Sequence, residues 1–324
     1  MKIRTYSENK LNFIEVSNKD LKVTLCDLGA SLYAIDFLDK PMLMTLCDSN
    51  KFWASGIYHG KTVGRSGNRI RGNKITIDNK DYFIEDNESG NTLHGGINGL
   101  STKVFSSKIE KNIDSLKVVY EYTSLDGESG FPGDLKIRIS YCFYENFPRI
   151  LIDFDAKTNE PTLCDLTNHA FYILGEENLN SLSLQINSSI YLKTEVDTLL
   201  PLSMEKVNKE LDFRNGKPIM ESINSPEIKK GKANGYDHYF LFNNNNKEPQ
   251  IFLQNKNLNL EIKSDFEGVQ IYTDNYEDDN KWFLVKGKKN RSIAIEPMDN
   301  YLNRKVLYPN EEYSRYIELN FKKN

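Results

Sequence analysis

Four histidines are the residues with the clearest capacity for chemistry in this chain of 324 residues. His94 lies in NTLHGG, His169 in LTNHAFYILG and His238 in YDHYF, and His59 precedes GKTVGRSGNRI. Each polar segment adjoins sequence of strand-like composition, and functional groups often lie on loops and strand ends above a rigid scaffold. The histidines therefore indicate a site built at the margins of a β-fold.

The common catalytic and cofactor motifs do not account for these segments. Neither HxxxH nor paired CxxC occurs, so a metal site would need ligands from distant parts of the chain, an alternative that stays open. GRSGN differs from the hydrolase motif GxSxG because Asn68 replaces its second glycine. No P-loop or GxGxxG follows a strand. Acid–base chemistry by histidine and a carboxylate fits best, with Asn, Arg, Asp and aromatic contacts suited to a polyol-like ligand. We expect neither metal nor cofactor.

The carboxylate candidate is Glu296 in IAIEPMDN. It ends an apolar strand, and Pro297 is expected to terminate the strand ladder behind it. A carboxylate at an apolar strand end loses part of its hydration, which raises its pKa. From the pattern alone, a solvated charge at a strand end is an equally good interpretation.

The elements that must position these groups are short strands. Alternation with a period of two residues, separated by turn signals such as LDGESGFPGD, indicates many strands and few helices, with short helical pieces near 218–230. No linker composition or repeat divides the chain, so we predict one all-β domain over 1–324, a large antiparallel β-sandwich. The clearest strand predictions are 22–28, 74–79, 116–124, 135–145, 149–158, 182–189, 259–265, 269–275 and 291–297.

Composition excludes several classes of partner. The formal net charge is −4, from 42 basic and 46 acidic residues without a basic block, so neither nucleic acid nor an anionic membrane is an expected partner. The four scattered cysteines predict core thiols rather than disulfides. The N-terminus lacks a signal-peptide pattern, and no run is long enough to span a membrane, so a cytoplasmic protein is expected. The segment NNNNK at 243–247 predicts a solvated loop.

Seven motifs, taken together and in order, resemble the aldose 1-epimerase (galactose mutarotase) family. They are GRSGNRI, NTLHGG, GESGFPGDL, TNHAFYILG, GYDHYFLF, GVQIYTDN and IEP, and they span almost the whole chain. The resemblance implies a large antiparallel β-sandwich with a sugar in an open cleft. It also implies interconversion of the α- and β-anomers of free aldohexoses such as glucose or galactose, without a cofactor.

The resemblance assigns roles to particular residues. It implies that Glu296 takes the proton of the C1 hydroxyl and that His169 protonates the ring oxygen. His169 would then carry a proton near neutral pH, its pKa raised by a nearby carboxylate. The two groups would lie at opposite edges of one pyranose. The residues expected to bind the sugar are Asn68, Arg69, His94, Phe171, Asp237 and Gln270, whereas His59 and His238 are expected to be structural.

Two departures leave the preferred sugar open. Phe171 keeps an aromatic ring but lacks the hydroxyl usual in the family, and Met298 follows Glu296 where many galactose-active members have glutamine. A hexose-6-phosphate epimerase is an alternative that would need an extra cationic cluster. A non-catalytic carbohydrate-binding member of the fold is another. We expect a monomer or weak homodimer.

Overall fold

The computed structural model describes residues 1–54, 56–243, 248–285 and 288–324. The loop prediction for 243–247 therefore lies, apart from Asn243, outside the described residues.

The first part of the chain forms sixteen strands among the described residues. They are β1 (Lys2–Glu8), β2 (Leu11–Ser17), β3 (Leu21–Cys26), β4 (Ser31–Phe37), β5 (Lys40–Pro41), β6 (Thr62–Val63), β7 (Arg69–Ile70), β8 (Lys74–Ile77), β9 (Lys80–Phe83), β10 (Thr92–Leu93), β11 (Ser106–Lys111), β12 (Ser115–Ser124), β13 (Leu135–Tyr144), β14 (Phe147–Thr158), β15 (Thr162–Leu163) and β16 (Thr167–Asn168).

Twelve strands follow in the described part of the second half. They are β17 (Phe171–Tyr172), β18 (Ser183–Ile186), β19 (Ile190–Thr194), β20 (Pro201–Lys206), β21 (Lys217–Pro218), β22 (Asp237–Leu241), β23 (Ile251–Gln254), β24 (Leu258–Ser264), β25 (Gly268–Tyr272), β26 (Ile293–Met298), β27 (Val306–Leu307) and β28 (Tyr313–Lys323). The one α-helix of the described residues is α1 (Met220–Ile223), and short 3-10 turns lie at Ser49–Trp53, Arg71–Asn73, Leu100–Thr102, Glu128–Gly130 and Leu179–Ser181.

Three large sheets contain most of these strands. Their orders are β1-β2-β3-β4-β5, β11-β12-β13-β14-β28-β24-β23-β18-β21 and β17-β26-β25-β22-β19-β20. Every neighbouring pair within them is antiparallel. The prediction of an all-β antiparallel sandwich is confirmed.

Side-chain alternation holds the sheets together. In β24 the residues are alternately buried and half-buried, as the two-residue period of a strand requires. Buried side chains from each of the three large sheets join one continuous apolar cluster, to which Val23, Ile152 and Ile271 contribute. The scaffold under the histidines is therefore a packed core shared by the sheets.

The predicted strand segments coincide with strands of the structure, with one correction. Pro297 does not terminate the ladder, because it pairs with Val269 and β26 continues to Met298. All six residues of β26 are buried, so Glu296 lies inside a covered strand rather than at a solvated end.

The cysteines differ in their environment. Cys26, Cys142 and Cys164 are buried free thiols, as the sequence predicts, but Cys47 is exposed and is not a core residue. Among the described residues, no helix has the length and apolarity needed to cross a membrane.

Candidate active site

The site residues predicted from the sequence lie around one cleft of about 320 Å³. All eight of them line it: Asn68, Arg69, His94, His169, Phe171, Asp237, Gln270 and Glu296. A wider, open groove of about 740 Å³ lies over β12, β13 and β14 and contains none of these eight residues. The chemistry predicted from the sequence therefore belongs to the smaller cleft.

Backbone pairing positions His169 from both sides. β16 pairs with β6, and the next residue exchanges hydrogen bonds with the segment before β6: the His169 N–H donates to the Lys61 carbonyl at 2.9 Å, and the Gly60 N–H donates to the His169 carbonyl at 2.8 Å. The Asn168 side chain donates to the Gly60 carbonyl at 2.6 Å. The imidazole direction is thus set by a backbone ladder.

Glu296 faces His169 from the six-stranded sheet. It lies in β26 opposite Gln270 of β25 and is only 1% exposed. Its Oε1 lies 3.3 Å from Nε2 of His169. The expectation that these groups lie at opposite edges of a pyranose is therefore not met, since they contact each other directly.

Burial dominates the electrostatics of this pair. It raises the pKa of Glu296 well above its usual value, with the Asp237 charge adding to the shift and Arg69 opposing it. Burial also lowers the pKa of His169 to about 4. The expectation that a carboxylate raises the His169 pKa is therefore wrong, because desolvation disfavours the charged form of each group.

A chain of side-chain amides and carboxylates runs beside the pair. The Asn68 amide donates to Oε1 of Gln270 at 3.0 Å, and the Gln270 amide donates to Oδ1 of Asp237 at 2.5 Å. Burial raises the pKa of Asp237, an effect that the charge of Arg69 opposes. Three predicted ligand-binding residues are thus held by one another.

Arg69 is bound by a residue that the sequence analysis did not select. Its Nε and Nη2 donate to the two oxygens of Glu88 at 2.7 and 3.1 Å. Lys232 donates to Oε1 of the same carboxylate at 2.8 Å. Arg69 also lies 3.7 Å from Asp237. Burial lowers its pKa, but the carboxylates of Asp237 and Glu88 outweigh this and raise it.

His94 is fixed by a reciprocal pair of bonds with Asn68. The backbone N–H of Asn68 donates to the ring nitrogen Nδ1 of His94 at 3.3 Å, and the backbone N–H of His94 donates to the backbone carbonyl of Asn68 at 3.1 Å. The following Gly95 has φ +85°, and a Cβ there would lie 1.9 Å from the Gly64 carbonyl oxygen, so only glycine fits. Burial lowers the pKa of His94 well below its usual value.

Aromatic rings form one wall of the cleft. Phe171 stacks on His169 with ring centroids 4.9 Å apart and on His59 at 3.9 Å. His59 stacks on Trp282 at 4.1 Å, so it packs as expected, but it also lines the cleft. His238 is not among the lining residues, and its Nδ1 accepts the N–H of Asp237.

Three residues of the cleft have the donor types of a metal site. Ligand atoms of His94, His169 and Glu296 lie within 4.8 Å of one another. Two neutral imidazoles and a carboxylate suit a divalent transition metal. The acid–base interpretation uses the same atoms, and the expectation of a metal-free site stays a prediction.

The charges of the cleft are mostly negative among the described residues. Two cationic side chains line it, Arg69 and Lys232, and both are bound to Glu88. Six carboxylates line it: Glu88, Asp237, Asp274, Glu277, Asp278 and Glu296. Buried Arg291 binds Asp274 and Asp278 at 2.7 Å each. An uncharged, hydroxyl-rich ligand suits this cleft better than an anion.

Several lining residues gave no usable signal in the sequence. Glu88 lies in the turn segment DNESGN, and Lys232 and Tyr276 lie in polar loops of ordinary composition. Tyr58 was the exception that could have been found, since it directly precedes His59, and its ring contacts those of His94 and His169.

Comparison with known proteins bears on the whole chain. The family model described as aldose 1-epimerase matches residues 12–320. The galactose mutarotase of Sus scrofa is 25% identical over 93% of this chain and 91% of its own length. The aldose 1-epimerase of Escherichia coli strain K12 is 25% identical over 80% of this chain and 77% of its own length.

Solved structures share the fold. A crystal structure of galactose 1-epimerase from Lactobacillus acidophilus NCFM superposes with a TM-score of 0.88 at 23% identity, covering 100% of this chain and 98% of that one. A crystal structure of a GalM/aldose epimerase homologue from C. elegans superposes with a TM-score of 0.85 at 24% identity, covering 97% of this chain and 99% of that one.

Proposed function

Since the chain belongs to the aldose 1-epimerase family, we propose that it interconverts the α- and β-anomers of a free aldohexose such as glucose or galactose. The reaction opens a cyclic hemiacetal, rotates the C1–C2 bond and closes the ring on the opposite face. It needs one group to take a proton from the C1 hydroxyl and another to protonate the ring oxygen, and it needs no cofactor.

The observation that carries the proposal is the contact of His169 with Glu296 at 3.3 Å. The C1 hydroxyl oxygen and the ring oxygen are both bonded to C1, so a base and an acid that are immediate neighbours can serve both. Groups at opposite edges of the ring are not required.

The number of protons that His169 and Glu296 can share suits this reaction. A neutral carboxyl beside a neutral imidazole holds as many protons as a carboxylate beside an imidazolium. Sugar hydroxyls that donate to the Glu296 oxygens favour the carboxylate, because hydrogen bonds to a charged form stabilise it. Transfer of the proton to His169 then gives the base and the acid, and each proton transfer to or from the sugar typically contributes ~10²–10⁴-fold.

The charge distribution favours a free sugar over a sugar phosphate. Among the described lining residues, Arg69 and Lys232 share one carboxylate and leave no uncommitted cationic cluster. The acid–base contact likewise argues against a purely binding role. Burying a carboxyl beside a histidine costs free energy, and sugar binding alone does not require this contact.

Polarimetry of freshly dissolved sugars tests the proposal. With α-glucose and α-galactose, the protein should accelerate the approach to the equilibrium rotation above the buffer rate. Acceleration confined to α-glucose 6-phosphate would favour the phosphate alternative, and sugar binding without acceleration would favour the binding module. Prior dialysis against EDTA should leave the rate unchanged, and loss of activity restored by a divalent metal would contradict cofactor independence.

A further inference from the structure

Glu88 is a partly buried carboxylate with both oxygens bound by cations of the cleft. Its side chain is 13% exposed, and that of Arg69 is 9% exposed. The guanidinium approaches it as a fork, the geometry that binds carboxylates most strongly. Lys232, which is 34% exposed, reaches the same carboxylate from the outer side.

This arrangement pairs both Arg69 and Lys232 with a carboxylate. Guanidinium and ammonium groups are the usual partners of phosphate and carboxylate ligands. Here Nε and Nη2 of Arg69 and the Lys232 ammonium are directed at Glu88, and Oδ2 of Asp237 lies 3.7 Å from Nη2. An anion entering here would meet cations already paired with Glu88 and a second carboxylate, Asp237, beside them.

We propose that Glu88 is a specificity-determining residue that occupies Arg69 and Lys232, so that the cleft accepts uncharged aldoses and rejects carboxylated or phosphorylated ones. The inference rests on the proposed function for the class of ligand. Discrimination arises as much from repulsion and unavailable donors towards the wrong ligand as from contacts with the right one.

The test is Glu88→Gln, which keeps the side-chain shape and removes the charge. Ligand-observed NMR titration should show glucuronate binding at least about tenfold tighter than to the wild type, since hydrogen bonds between charged groups are the strong ones. The Michaelis constant for glucose should rise because Arg69 loses its anchor. The proposal would be overturned if Glu88→Gln changed the affinities for glucose and glucuronate by the same factor, or if glucuronate did not bind more tightly.

Two further variants separate charge from shape. Adding Lys232→Met to Glu88→Gln should remove most of the gain for glucuronate, and a gain that persists would exclude Lys232 from the effect. Glu195→Gln is the matched control, because Glu195 pairs with Arg71 outside the cleft and should change neither affinity.

Binding and turnover report on different claims. If the wild type does not accelerate mutarotation while Glu88→Gln still gains affinity for glucuronate, the proposed function fails and the specificity role stands. If mutarotation is accelerated but no variant alters the preference between neutral and acidic sugar, the specificity role fails alone.

Discussion

At the scale of single residues, burial sets the protonation of the His169–Glu296 pair. Both side chains lie almost wholly out of water, so each charged form loses hydration that its neighbour restores only in part. Burial therefore favours the neutral form of each group. This accounts for a histidine whose pKa is about 4 in a site where a histidine acid is proposed.

Removing either member should abolish most of the activity. We expect Glu296→Gln and His169→Asn each to lower kcat by ~10²–10⁴, because each removes one proton-transfer group. Polarimetry gives the rate, and thermal unfolding followed by circular dichroism checks the fold. His238→Asn is the matched control, since burial also lowers the His238 pKa to about 4 but that histidine does not line the cleft. Turnover at the wild-type rate in either site variant would refute the role assignment.

The pH profile should reflect the lowered pKa of His169. Since burial lowers the pKa of His169 to about 4, this imidazole gains a proton only as pH falls through about 4, and kcat/KM should decline there. The decline has this sign because a doubly protonated pair has no base. Polarimetry corrected for buffer catalysis measures the profile, and an inflection near pH 6.5 would show a histidine with its ordinary pKa.

At the scale of elements, the cleft is assembled where several short strands meet. His169 directly follows β16, which pairs with β6, whereas β25 and β26 carry Gln270 and Glu296 and β22 begins at Asp237. The antiparallel register places Gln270 directly opposite Glu296. Side chains opposite each other across a strand pair lie close together, so the register brings the amide and the carboxyl into the same cleft.

Substitutions in the chain of polar contacts should weaken binding more than turnover. We expect Arg69→Ala and Asp237→Ala each to raise the Michaelis constant about tenfold or more, since a hydrogen bond to a charged group contributes about 1.5–3 kcal/mol. Initial rates at varied sugar concentration separate the Michaelis constant from kcat. Gln254→Ala, an exposed strand residue of β23, is the control. Unchanged constants in both variants would remove these residues from the site.

At the scale of the whole molecule, one apolar cluster joins the three large sheets. The sheets hold the cleft in place because their inner faces are packed together, and a rigid scaffold keeps an acid–base pair at a fixed spacing. Stability and activity should therefore be separable far from the cleft.

A core substitution should reduce stability without altering the chemistry. Ile262→Ala, in the middle of β24, should lower the free energy of unfolding by about 2–5 kcal/mol through lost burial and a cavity. Urea denaturation measures this loss, and kcat/KM of the folded variant should stay at the wild-type value. Lys263→Ala, the next residue of the same strand, should change stability little. Equal losses in the two variants would contradict the alternation of burial along β24.

Residue order was enough to place the main strands and to select eight residues that line one cleft. Strand alternation depends on local chemistry repeated every two residues, so segments such as 135–145 and 259–265 could be placed without coordinates. The seven ordered motifs likewise contain eight of the residues that line the cleft. Both signals lie in short stretches of chain.

The contacts between the site residues, and the burial that shifts the pKa of His169, depend on the tertiary structure. Glu88 binds Arg69 from 19 residues away and Lys232 from 144 residues away, and neither separation has a local signature. The low pKa of His169, opposite to the direction predicted from the sequence, depends on how much water the surrounding sheets exclude. Desolvation is a property of the assembled environment rather than of neighbours in the chain, so it could not be read from residue order.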